Sequence, residues 1–156
     1  TESYHGTPLM TSERGTDRTA IYRPLFDQAD CLINKELLPS FESLFYEPFY
    51  QLMRQQFLAH EMEKARELDA DIVSLLHIAP AHNEGFRTVT SPALRDLGDT
   101  ATSVWNGLVR QSDRFQSIST ERLFAPLLKT PPTGMDAWAD YLAGRYPWVT
   151  TGTEPA

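Results

Sequence analysis

The fold of this chain is decided by residues 45–80, which read FYEPFYQLMRQQFLAHEMEKARELDADIVSLLHIAP. Apolar side chains recur at helical spacing over residues 45–68, and Pro48 suits the first turn of a helix. Residues 71–78 are almost continuously apolar, which is typical of a central strand buried on both faces. A helix, a short turn and a buried strand in this order predict an α/β fold.

Polar side chains interrupt the apolar pattern of the predicted helix at two places. Gln56 and His60 fall in the middle of its apolar stripe, where an unpaired polar group costs about 1–3 kcal/mol. They are therefore either a hydrogen-bonded core pair or the lining of a cleft. Gln51, Arg54 and Gln55 form a second group near the helix start, which is either solvated or in contact with a ligand. The planar guanidinium of Arg54 suits phosphate oxygens.

The flanking sequence contains shorter elements and longer irregular stretches. Residues 1–44 carry glycines and prolines without a sustained period, which indicates a loop-rich segment with at most a short element around 25–37. Residues 45–128 form the predicted α/β core, and residues 129–156 form a last helix and a polar, disordered tail. The remaining predicted elements are helices over 92–97, around 104–109, over 121–128 and over 135–142, and a strand over 115–119.

Composition and charge narrow the functional classes. The net charge of −7 opposes nonspecific binding to duplex DNA, because such binding depends on Lys and Arg. No apolar run approaches the roughly 20 residues that span a bilayer, so we expect no membrane association. The single cysteine, Cys31, forms no internal disulfide and favours a reducing, cytoplasmic compartment. The chain begins at Thr1 without an initiator Met or a leader, and we expect it to be a piece of a longer protein.

Individual residues suggest chemistry only weakly. The sequence has no phosphate-loop, dinucleotide-binding or nucleophile-elbow motif. His77 and His82 could bind a metal ion, but their spacing matches no zinc pattern, and a structural role is favoured. Asp27 and Asp30 could ligate Mg²⁺, although acidic residues in loops are ordinarily solvated. Cys31 would need a positioned histidine to act as a nucleophile.

Four segments carry a resemblance to a known family. Residues 51–62, residues 73–80 with Asn83, and the stretch FQSISTERL at 115–123 resemble the C-terminal half of a bacterial group of restriction-endonuclease-like proteins in the PD-(D/E)XK superfamily. The opening TESYHG at 1–6 is similar to the residues that follow this family's E-x-K strand. No E-x-K triplet occurs in the chain, so the resemblance implies that the catalytic Glu and Lys lie upstream of Thr1.

The resemblance also implies a fold and a site. The fold would be restriction-endonuclease-like α/β, with the last helix and strand of an αβββαβ core and additional C-terminal helices. Gln51 would line the site and Arg54 would contact phosphate, with Gln55 and His60 as further site-lining or DNA-contacting residues. DNA and Mg²⁺ would be the partner and cofactor of the full-length parent, with no metal bound by this chain alone.

These implications lead to one expected function and one alternative. We expect the C-terminal portion of a Mg²⁺-dependent DNA endonuclease. The alternative is a non-enzymatic, acidic protein-interaction module, which the charge of −7 and the missing catalytic triplet favour. Homo-oligomerisation stays open.

Overall fold

A computed structural model describes residues 6–151 of the chain, and these residues divide into two compact units. The first unit comprises the chain up to Leu75 together with residues 84–116, and the second comprises residues 76–83 and those from Ser117 onwards. The division after residues 44 and 128 that the sequence suggested stays a prediction. Residues 1–5 of the opening stretch and 152–156 of the predicted tail lie outside the described residues.

The first unit contains a helix within the segment predicted to be loop-rich. Helix α1 spans Arg18–Asp27. The Asp17 carboxylate caps this helix by accepting hydrogen bonds from the amides of Thr19 and Ala20, at 2.9 and 3.3 Å. The cap satisfies amides that the first turn of a helix leaves without partners. The short element expected around 25–37 therefore lies earlier in the chain.

Helix α2 spans Phe49–Lys64 and is shorter than the predicted helix over 45–68. A separate 3-10 helix, Phe41–Phe45, precedes it. After α2, Arg66, Leu68 and Asp69 have φ angles of 52°, 55° and 57°. L-residues adopt this left-handed region at a cost, and such residues cannot continue an α-helix. The turn leaves the Leu68 side chain 95% exposed.

The apolar face of α2 lies in the hydrophobic core of the first unit. It packs against helix α4, Ala101–Leu108, and against the 3-10 helix Phe41–Phe45. The predicted position of Gln56 and His60 within the apolar stripe is confirmed, since both side chains are buried. Helix α3, Glu84–Arg87, and the 3-10 helix Pro92–Leu97 complete the unit. The core side chains include Phe26, Ile33, Phe41, Leu44, Phe45, Phe49, Leu52, Met53, Phe57, Leu94, Val104, Trp105, Leu108 and Phe115.

Strands β1, Leu75–Ala79, and β2, Phe115–Ser119, form a two-stranded parallel sheet. Strand β2 has its predicted bounds. The expectation that residues 71–78 form a central strand buried on both faces is wrong, because both strands of a two-stranded sheet are edge strands. The exposed fractions of the apolar residues in this stretch are 58% for Ile72, 52% for Leu76 and 44% for Ile78. The mixed α/β class agrees with the prediction, whereas the αβββαβ core stays a prediction.

Three helices make up most of the described part of the second unit: α5, Thr120–Lys129, α6, Asp136–Arg145, and α7, Pro147–Thr151. Ser119 caps α5 by accepting a hydrogen bond from the amide of Arg122 at 3.0 Å. A cavity of about 230 Å³ lies among these helices; it is lined by Thr120, Phe124, Leu128, Leu142, Tyr146, Trp148 and Val149. None of the helices within residues 6–151 combines the length and the apolar character that a membrane crossing requires.

Candidate functional site

A cavity of about 410 Å³ lies between α1 and α2 in the first unit. One side of α2 supplies most of its lining. Gln51, Gln55 and Leu58 follow each other at four- and three-residue spacing, so they lie on the same face of the helix. Three of the four site residues predicted from the sequence therefore share one cavity. The lining consists of Tyr22, Leu25, Gln51, Arg54, Gln55, Phe57, Leu58 and Glu61.

The three polar side chains contributed by the first part of α2 have free hydrogen-bonding groups. Among residues 6–151, no hydrogen bond or ion pair joins the side chain of Gln51, Arg54 or Gln55 to another side chain or to the backbone. A guanidinium carries five N–H donors, and each amide carries two. The cavity therefore presents many donors and one positive charge to whatever occupies it.

The ring of Tyr50, which is not part of the cavity lining, contacts the guanidinium of Arg54. The Cζ atom of Arg54 lies 5.4 Å from the centre of the Tyr50 ring, and that of Arg18 lies 5.1 Å from it. Burial and a hydrogen bond with Tyr22 raise the pKa of Tyr50 to about 12. The phenol therefore stays neutral at pH 7, and it holds the two arginines by cation–π contact without cancelling their charge.

Glu61 adds a negative charge at one end of the cavity, but this charge has a partner. Lys64 Nζ lies 3.2 Å from Glu61 Oε1. Lys64 Nζ also lies 3.7 Å from Asp30 Oδ2, so its charge is shared between two carboxylates and offsets that of Glu61 only in part. The guanidinium of Arg54 is the one cationic side chain among the described residues that line the cavity.

His60, the fourth predicted site residue, lies outside the cavity. Its Nε2 atom is 3.4 Å from Asp30 Oδ2, in the buried part of α2. Neither ring nitrogen is aligned for a hydrogen bond with another described group. Burial would raise the pKa of the Asp30 carboxyl, but its own backbone amide, Lys64 and His60 outweigh burial and lower it. The structure thus gives His60 a core position beside an ionised Asp30 and does not bring it to the cavity.

A second polar group is buried on the other side of α2. The Arg114 guanidinium pairs with Glu63, and the same carboxylate accepts a hydrogen bond from the Val73 amide at 2.9 Å. Gln56 Nε2 lies 3.5 Å from the Arg114 carbonyl oxygen. Gln56 is fully buried and Arg114 is 8% exposed, so this network is inaccessible to a large ligand. We assign it to stabilising the junction between α2 and β2.

Comparison with known protein families shows which family the chain belongs to. A sequence model of the REase-ARP family, described as restriction endonucleases associating with ARP, matches residues 1–147.

The chain belongs to the REase-ARP family.

The predicted relationship to restriction endonucleases is thereby confirmed, while the PD-(D/E)XK assignment stays a prediction. No curated protein and no solved structure was found to match the chain.

The described residues of this REase-ARP chain do not fit a metal ion. Within residues 6–151, no three His, Cys, Asp or Glu side chains lie close enough together to hold one. His77 is instead paired with Ser117, whose Oγ lies 3.1 Å from its Nδ1, and burial lowers the pKa of His77. Burial raises the pKa of the Cys31 thiol, which keeps it protonated and poorly nucleophilic.

Five lining residues were not predicted as site residues, and two of them form a wall contributed by another helix. Tyr22 and Leu25 lie on α1, in the segment expected to be loop-rich, where Pro24 interrupts the helical pattern. Asp17 at the N-cap position and the three-residue spacing of Tyr22 and Leu25 are the signals that could have revealed this wall. Their partnership with α2 had no signal in the sequence, since it depends on tertiary packing.

Proposed function

We propose that this chain is a nucleic-acid-contacting part of a restriction-endonuclease-type protein and that the cavity between α1 and α2 is its contact site. The observation that carries the proposal is the convergence of Gln51, Arg54 and Gln55 on one cavity, where their side chains make no hydrogen bond or ion pair with the described protein groups. Membership of the REase-ARP family supports the choice of nucleic acid as the ligand.

The chemistry of the cavity matches a phosphodiester. Phosphate oxygens are acceptors that carry negative charge, and the cavity offers mainly donors and a guanidinium. Arginine is well suited to this role because its planar fork can donate two parallel hydrogen bonds to one phosphate. Arg54 would therefore hold the phosphate, while the amides of Gln51 and Gln55 would orient the adjoining groups.

Because the chain has a net charge of −7, we propose that it contacts nucleic acid at one point and not over a broad basic surface. A surface that binds duplex DNA through electrostatics alone needs many basic side chains on one face. Here Arg54 lines the cavity and Arg18 contacts the same Tyr50 ring, so two guanidinium groups lie near one aromatic side chain.

The described residues supply binding groups and no metal site, so we assign them no step of strand cleavage. Mg²⁺-dependent cleavage of the PD-(D/E)XK type is proposed only for a longer protein whose metal is held by residues other than 6–151. In such a protein Gln51→Ala should lower turnover more than affinity, because an orienting amide acts mainly on the reacting groups.

The test of the proposal compares two arginine substitutions. Arg54→Ala should weaken binding of a labelled DNA oligonucleotide by about tenfold and make the slope of log affinity against log salt shallower by about 0.7–0.9, the contribution of one phosphate contact. Arg95→Ala removes the same charge from an exposed position that does not line the cavity, and it should leave both quantities unchanged. Fluorescence anisotropy titrations at several salt concentrations measure these effects. Equal behaviour of the two variants would refute the proposed site.

An interaction module is a second candidate, and two observations favour it. The family description names an association with ARP. The Leu68 side chain is 95% exposed on a turn that also carries the exposed acidic residues Glu67, Asp69 and Asp71. Leu68→Ala should then reduce co-purification with a co-expressed ARP protein, whereas Leu127→Ala, another exposed leucine, should not. Equal recovery with both variants would remove this turn as the contact surface.

A further inference from the structure

We infer that the cavity between α1 and α2 accepts a single unpaired nucleotide, with its base inside, and does not grip the backbone of an intact duplex. This inference rests on the proposed nucleic-acid function and names its ligand more narrowly. Three properties of the cavity carry it: its shape and apolar wall, its free amides, and its single cationic side chain.

The shape of the cavity fits a small planar group better than a passing backbone. Its volume of about 410 Å³ lies within the roughly 300–1,000 Å³ typical of small-molecule sites. Half of the lining residues are apolar or aromatic: Tyr22, Leu25, Phe57 and Leu58. A phosphate held by Arg54 would leave this wall in water, whereas an unstacked base would cover it. Bases in an intact duplex are stacked and paired, so entry would first cost a few kcal/mol of unstacking and unpairing.

Leu58 marks the open side of this wall. Its side chain is 61% exposed although it lies within α2, one turn after Arg54. Because it is exposed, the Leu58 side chain adds little hydrophobic stabilisation to the fold. A base bound against it would remove its apolar surface from water. Tyr22 lines the cavity from α1, and its ring contacts Phe57 at 6.4 Å between centroids. Aromatic and apolar side chains of this kind are the usual support for splayed bases.

The amides of Gln51 and Gln55 fit the edge of a base. Each amide presents a donor and an acceptor side by side, and this pairing complements the donor and acceptor pattern of base edges. Neither amide is engaged by the described protein groups. A phosphate would use their donors only and would leave both carbonyl oxygens unpaired.

The charge of the cavity allows for one phosphate. Arg54 is the one cationic side chain among the described residues that line it, and Glu61 in the same lining is partly offset by Lys64. A single-stranded ligand that makes one phosphate contact should show a slope of log affinity against log salt of about −0.7. A surface that follows a duplex would show a slope several times steeper.

The decisive experiment is a comparison of three fluorescent oligonucleotides by anisotropy with the full 156-residue chain. The three are a short single strand, the same sequence as a perfect duplex, and that duplex with one unpaired base. We expect the single strand to bind at least tenfold more tightly than the perfect duplex, with the shallow slope given above. The unpaired base should restore much of the lost affinity.

Variants separate this inference from the proposed function. Leu58→Ala and Gln55→Ala should each weaken single-strand binding at least threefold, whereas Leu127→Ala and Gln116→Ala, which change exposed residues outside the cavity, should not. Equal, Arg54-dependent binding of single strand and perfect duplex would overturn the inference and leave the proposed function standing. The inference would also be overturned if single-strand affinity falls in Arg54→Ala but is unchanged in Leu58→Ala and Gln55→Ala. If Arg54→Ala binds as tightly as the wild type, both the inference and the proposed function would be overturned.

Discussion

At the scale of single residues, the ion pair between Glu63 and Arg114 is the polar contact with the largest consequence for the first unit. The side chains are only 18% and 10% exposed, and the pair joins residues 51 positions apart in the chain. Removing one partner of such a pair leaves the other charge buried without compensation. A single substitution at this pair should therefore destabilise the protein far more than a substitution at an exposed ion pair.

Substitution of Glu63 tests this contact. Glu63→Gln should lower the free energy of unfolding by about 3 kcal/mol, because the Arg114 charge stays buried. The control is Asp71→Asn, which breaks the exposed pair with Arg66 and should cost less than about 1 kcal/mol. Urea denaturation followed by circular dichroism measures both values. If the two variants lose similar amounts of unfolding free energy, the buried pair contributes no more to stability than the exposed pair does.

The same residue predicts a pH dependence. Burial would raise the pKa of Glu63, but the Val73 amide and the Arg114 guanidinium outweigh burial and hold it below the ordinary value of 4.5. The unfolded chain therefore takes up the proton first as the pH falls. The stabilisation is fully present above pH 4.5 and is lost as the pH falls through the folded-state pKa. Wild type should lose stability more steeply than Glu63→Gln below pH 4.5, and parallel curves would contradict this.

At the scale of elements, the sequence predicts local patterns well and tertiary surroundings poorly. The buried stripe of α2 and the bounds of β2 follow from local spacing, and both are found as predicted. The run over 71–78 is apolar enough for a central strand, but the strand it contains has one neighbour in the sheet. Whether an apolar run is covered depends on what packs beside it, and no local pattern carries that information.

The site divides in the same way. Gln51, Arg54 and Gln55 are predicted because one helical face holds them, and the structure brings them to one cavity. The wall formed by α1 is missed because its approach to α2 is long-range. His60 shares the helix with the other three residues but lies in its buried part, where Asp30 approaches it.

The corrected position of β1 can be tested with two leucines. Leu76→Ala should change the free energy of unfolding by less than about 1 kcal/mol, because the Leu76 side chain is 52% exposed. Leu52→Ala, at a position that is 1% exposed, should cost about 2–5 kcal/mol. Chemical denaturation of the two variants provides the comparison. A large loss for Leu76→Ala would indicate that β1 is covered as the sequence first suggested.

At the scale of the whole molecule, this chain of the REase-ARP family has no cluster of three potential metal ligands among residues 6–151. The purified chain should therefore show no Mg²⁺-dependent cleavage of duplex DNA above background, since the acidic ligands that hold the ion are missing from the described residues. Incubation of plasmid DNA with the chain and Mg²⁺, with and without a chelator, is the assay. Robust nicking that the chelator abolishes would contradict this expectation.

The most direct test of the account locates the bound nucleic acid on the molecule. The ¹H–¹⁵N NMR spectrum of the labelled chain resolves the side-chain amides of glutamine and the Nε–H groups of arginine. On addition of a short single-stranded oligonucleotide, the side-chain signals of Gln51, Arg54 and Gln55 should shift in a saturable way. Those of Gln111 and Gln116, outside the cavity, should not. Saturable shifts confined to residues away from α1 and α2, or no shifts at all, would contradict the assignment of the cavity as the nucleic-acid site.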